Sequence, residues 1–109
     1  MSNLHLEPNP TLKDLQEYVA EMVRERGFTD DDIAKKFMML TEEVGEFSKA
    51  ARVHAGMKLA KDSRDQDLEG EAADILIVLL GLCNMMGIDL EKAFRDKEEK
   101  NKKREWTTA

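Results

Sequence analysis

Residues 33–51, IAKKFMMLTEEVGEFSKAA, decide how the chain folds. Ile33, Phe37, Leu40, Val44, Phe47 and Ala51 recur at alternating steps of four and three, the spacing that lines up side chains along one side of an α-helix and packs it into a bundle. The composition agrees. Charged residues make up 37% of the 109 and aromatics only 6%, with two prolines and six glycines, which favours helices over a β-sandwich. A chain of this length makes one domain with a modest core and gains from oligomerisation.

Working outward, residues 1–10, with Pro8 and Pro10, read as an irregular arm. Thr11 is a candidate N-cap with Asp14 three residues on, and Leu12, Leu15, Val19, Met22 and Val23 form a stripe that Gly27 ends. Thr29 or Asp30 caps the helix of the decisive stretch and Gly56 closes it. The polar segment from Lys58 to Asp67 is a loop. A third helix runs from about Leu68 to Met86, stopped by Gly87, and Asp89 caps a fourth that starts on Leu90, Ala93 and Phe94. Continued at steps of three and four, that stripe reaches Lys97, Asn101 and Arg104, so the inward face turns polar. The expected architecture is all-α: an antiparallel, four-helix-bundle-like single domain over residues 11–106, oligomeric through the apolar third helix.

The polar residues inside these helices carry the chemistry. Glu42, Glu43 and Glu46 lie in the second helix and Glu71 and Asp74 in the third, where Asp74 runs straight into the apolar run Ile75 to Leu80. Neighbours on a helix stand three and four positions away, and Lys49 is the one base within a turn of Glu46. Each like-charge pair costs about 0.2–0.5 kcal/mol on an exposed helix and several kcal/mol per ion once desolvated without a partner. A solvated acidic face would account for the first group alone, but not for a pair that opens an apolar helix. Divalent cations resolve the repulsion, and oxygen ligands without His or Cys suit Mg²⁺ or Mn²⁺.

These residues resemble the all-α nucleoside triphosphate pyrophosphohydrolases of the MazG-like superfamily. That family's signature, E-E-x-x-E, a variable spacer, then E-x-x-D, is matched by Glu42, Glu43 and Glu46, a spacer of 24 residues, then Glu71 and Asp74. The resemblance covers most of the chain and makes residues 11–106 a MazG-like helical domain. It implies that Glu43, Glu46, Glu71 and Asp74 bind Mg²⁺, with Mn²⁺ a possible substitute, while Glu42 orients or deprotonates the attacking water. Lys97, Asn101 and Arg104 look like the family's Lys-x-x-x-Asn-x-x-Arg helix, whose side chains face the triphosphate. The implied reaction takes a (deoxy)nucleoside triphosphate and water to the monophosphate and diphosphate, as in cleansing of a nucleotide pool, in a homodimer or homotetramer. Phosphoribosyl-ATP pyrophosphohydrolase shares the same metal logic and stands as the enzymatic alternative. A helical interaction module using the Met-rich and Ile/Leu faces is the non-enzymatic one.

The remaining features exclude more than they assign. A net charge of −6 argues against a nucleic-acid-binding surface, which relies on clustered Lys and Arg. The run Ile75 to Cys83 is far shorter than the ~20 residues that span a bilayer, so no membrane contact is expected. With a single cysteine, Cys83, and no signal-peptide apolar region, the chain reads as cytoplasmic. Cys83 and the Met38-Met39 and Met85-Met86 pairs read as packing, His54 as a helix-end residue, and Lys36, two turns before Glu43, as a surface lysine. Tyr18 and Trp106 could stack on a nucleobase or serve in the core or at the surface.

Overall fold

The computed structural model describes residues 2–28, 32–58 and 67–107, and among these every regular element is helical. Helix α1 spans Leu12–Arg26, α2 Ile33–His54, α3 Leu68–Met86 and α4 Leu90–Lys102. The ends form where local chemistry dictates. Thr11 and Asp14 make a reciprocal capping box, each side chain accepting the other's backbone N–H at 3.0 Å. Gly27 and Gly87 end α1 and α3 in the left-handed conformation, at φ 75° and 69°, which glycine adopts without a Cβ penalty. Asp32 caps α2, accepting the Lys35 N–H at 2.7 Å; the expected caps Thr29 and Asp30 lie outside the described residues, as do positions 59–66 of the expected loop. Asp67 and Asp89 cap α3 and α4 through the N–H groups of Gly70 and Lys92.

The core is built on α3. Leu80 and Leu82 are fully buried, and Val19 and Met22 of α1 pack against Leu80, with Leu12, Leu15, Tyr18 and Leu90 around them. Each fully buried aliphatic side chain contributes about 1.5–3 kcal/mol. Tyr18 is thus a packing residue, and Cys83 is buried as expected, its thiol pushed up from its usual range by that burial. Helices α1 and α2 both run antiparallel to α3. Among the described residues no single helix is long and apolar enough to cross a membrane.

Helix α4 departs from a closed bundle. It turns 97° away from α3 and packs on α1. The elbow is held by a side chain that periodicity does not single out, the buried Gln16. Its Nε2 donates to the Ile88 carbonyl at 2.6 Å and its Oε1 accepts the Leu90 N–H at 3.1 Å, while its own carbonyl accepts from Asn84 Nδ2 at 3.1 Å. Losing either side-chain bond would leave a shielded backbone group unpaired, at about 1–3 kcal/mol each.

Two expectations are corrected by this arrangement. The side of α2 that meets α3 is Lys36, Leu40, Glu43, Phe47 and Ala50, displaced by part of a turn from the most apolar seam, so Ile33, Phe37 and Val44 are exposed. The four paired methionines likewise lie outside the chain's own core. The radius of gyration, 17.0 Å, exceeds the ~13 Å of a compact chain of this length, as an outturned helix and uncovered apolar faces require.

Candidate metal centre

Antiparallel pairing of α2 with α3 brings the middle of one against the N-terminal half of the other. Carboxylate oxygens of Glu43, Glu71 and Asp74 lie within 4.8 Å of one another. Glu43 and Glu71 are half-buried and Asp74 is exposed. The local causes are simple: Glu43 falls on the contact stripe between Leu40 and Phe47, while Glu71 and Asp74 are one turn apart on α3. Glu71 also sits in the first turn of α3, where the helix dipole favours an anion.

Burial raises the Glu43 carboxyl above its ordinary value of 4.5, and Asp74, Glu71, Glu46 and Glu42 raise it further, in that order. All five sequence-identified acids therefore share one electrostatic neighbourhood. Three form its centre; Glu42 and Glu46 are exposed and stand at its edge. Among the described residues, none of the five has a Lys or Arg within ion-pair distance. An all-oxygen donor set with uncompensated negative charge fits a hard divalent cation.

This repulsion has a measurable consequence. In EDTA, Glu43→Gln is expected to raise the Tm at neutral pH, because the amide keeps the shape and removes one charge. The folded chain holds the Glu43 proton more tightly than the unfolded chain, so ionising it costs stability as pH climbs from about 4.5 to the raised value. Below that interval both states carry the proton, and the variant's advantage disappears. Thermal melts across pH check this; an advantage that grows on acidification would contradict it.

The basic helix is placed otherwise than the stripe implied. Phe94 is 67% exposed and Lys97 exposed, and the helix stops at Lys102, leaving Arg104 beyond its end. The physical reason is the elbow: once α4 swings off α3, its main packing partner among the described helices is α1. The acidic trio lies toward the other end of α3, with Asp74 about 18 Å of helix from Met86. Within one chain Lys97, Asn101 and Arg104 are therefore not brought to the carboxylates. Asn101 is half-buried, its Oδ1 shielded without a donor among the described residues, and its carbonyl accepts the Trp106 indole N–H at 3.2 Å.

Lys36, expected at the surface, is only 6% exposed, with its ammonium 5.9 Å from the Phe28 ring centre. Its spacing of seven and eleven residues from Glu43 and Phe47 was the available signal, masked by the more apolar seam beside it. Phe28 had no periodic signal, since it follows the end of α1. His54 is the exposed last residue of α2.

The profile of the MazG nucleotide pyrophosphohydrolase domain matches residues 31–108. No curated protein sequence matches the chain. Two of the similar solved structures illustrate the match. YPJD from Bacillus subtilis, provisionally assigned as a pyrophosphatase, superposes with a TM-score of 0.78 at 28% identity, over 91% of this chain and 100% of its own. The MazG-like pyrophosphohydrolase of cyanophage S-2L, bound to dGDP and three catalytic Mn²⁺ ions per active site, gives 0.65 at 27% identity, over 93% and 90%.

Proposed function

The chain belongs to the MazG nucleotide pyrophosphohydrolase family, and from that premise we propose that it hydrolyses nucleoside triphosphates to the monophosphate and diphosphate with Mg²⁺, or Mn²⁺ in its place. The observation that carries the reading is the convergence of Glu43, Glu71 and Asp74 within 4.8 Å, with no Lys or Arg among the described residues within ion-pair distance of them. Glu46, at the edge of the group, would add a further oxygen ligand. Bound there, divalent cations would neutralise phosphate oxygens and acidify the attacking water. Glu42, at the edge of the group, would orient that water and take its proton while the phosphoanhydride between the α- and β-phosphates breaks and diphosphate leaves with the bonding electrons. The cyanophage relative's dGDP and Mn²⁺ support both a nucleotide and a divalent ion here.

The phosphates also need cations on the side away from the carboxylates. Lys97 and Arg104 would supply that charge, with Asn101 as a neutral hydrogen-bond donor beside them, when a second copy of the chain brings them in, since their own chain turns them away. The uncovered Ile33, Phe37, Val44 and Phe94 are surfaces that a homodimer or homotetramer would bury. Product analysis tests the reaction: purified protein with Mg²⁺ is expected to release diphosphate, and not orthophosphate, from some member of a panel of canonical and modified NTPs, dNTPs and phosphoribosyl-ATP. Release of orthophosphate alone, or turnover confined to phosphoribosyl-ATP, would replace the proposed activity.

A further inference from the structure

A groove of about 240 Å³ lies between α1, α2 and α3, lined by Val23, Arg24, Phe28, Lys36, Asn84 and Met85 among others. It lies along the same helices as the acidic centre: Lys36 and Glu43 share one face two turns apart, about 10 Å along α2, and Asn84 stands about 15 Å along α3 from Asp74. That is the scale on which a nucleotide separates its base from its phosphates. The groove is smaller than the ~300 Å³ at which sites for whole drug-sized ligands begin, as a pocket for one part of a substrate should be.

Beside Arg24, its polar groups are Lys36 and Asn84, opposite in character. Lys36 is a charged side chain more than nine-tenths buried, and an ammonium only donates. Asn84 spends its Nδ2 on the Gln16 carbonyl, which fixes the amide orientation and turns Oδ1 to the role of acceptor. Phe28, 49% exposed, offers an aromatic surface at the mouth.

Resting on the proposed nucleotide chemistry, we infer that this groove is the nucleobase subsite, with Phe28 stacking on the base, Lys36 donating to a ring carbonyl and Asn84 Oδ1 accepting the adjacent ring N–H. A neighbouring carbonyl and N–H occur together on the pairing edges of guanine, uracil and thymine. Adenine and cytosine carry an amino group and a bare ring nitrogen at the corresponding positions, so they would set donor against donor and acceptor against acceptor. The subsite therefore selects keto bases.

The experiment compares nucleotides with inorganic tripolyphosphate, which reports on the phosphate site alone when used as a competitor. In the parent protein kcat/KM for GTP or UTP is expected to exceed that for ATP or CTP. Phe28→Ala, at a half-exposed position where folding is little affected, should raise the KM for GTP about tenfold or more, the usual effect of removing a stacking side chain, and leave the tripolyphosphate inhibition constant unchanged. Lys36→Met should bring the GTP and ATP values together. Parallel changes for GTP and tripolyphosphate in the Phe28 variant, no change for either, or a parent that prefers ATP or CTP would overturn the base subsite while hydrolysis itself stood. Absence of nucleotide hydrolysis in the parent protein would overturn the underlying reading and the subsite with it.

Discussion

Asp74→Asn and Glu71→Gln are each expected to lower kcat/KM for diphosphate release by at least about 10²–10³, the scale on which removing one preorganised stabiliser of transition-state charge acts. Both side chains belong to the trio that converges within 4.8 Å. Each amide keeps the volume and loses the charge that a divalent cation requires, so catalysis should fall while the fold survives. Circular dichroism and thermal melting in EDTA are expected to show native helix content and a Tm equal to or above that of the parent, since mutual repulsion is relieved. EDTA should abolish turnover in the parent, and Mg²⁺ or Mn²⁺ should restore it. Near-full turnover in EDTA by folded protein would sink the metal assignment.

The second large effect concerns Lys97 of α4 and Arg104 just past its end. Lys97→Ala and Arg104→Ala are expected to cost ten- to a hundredfold in kcat/KM, from charge-assisted contacts worth about 1.5–3 kcal/mol. Lys100, on another face of α4, and Lys103, at its C-cap, serve as controls, whose replacement should act only through weak steering that salt removes. Because α4 leads away from its own acidic trio, the lost contacts should be recoverable from a neighbouring chain. Co-refolding an Asp74→Asn chain with a Lys97→Ala/Arg104→Ala chain gives mixed dimers in which one of the two sites has both halves intact. Random pairing then returns about a quarter of the parent activity for an isologous dimer. Light scattering should show a dimer or larger. No recovery on mixing, or a fully active monomer at micromolar concentration, would place the cations elsewhere.

Much of this was legible in the residues because the relevant physics is local. Thr11 with Asp14 and Asp89 mark helix starts through bonds three residues long, and Gly87 ends α3 where the sequence expected. The joining of Glu43 to Glu71 and Asp74 was also readable, since apolar helices linked by a short segment pack as a hairpin and the carboxylates sit at matching heights. What escaped depends on partners distant in the chain. Periodicity could not choose between two overlapping stripes of α2, and it favoured the greasier one, which left Lys36 on the wrong side. The direction of α4 was invisible because it rests on Gln16, whose role exists only once Ile88 and Leu90 have been folded against it.

That elbow makes α4 a lever. Thirteen residues of helix reach about 20 Å from the fulcrum, so a tilt of about 5° at Gln16 displaces the far end by nearly 2 Å. Misplacement of about 1 Å at a reacting centre can lower a rate a hundredfold. A glutamine that touches neither carboxylate nor phosphate would thereby govern how accurately one chain aims its cations at another's substrate.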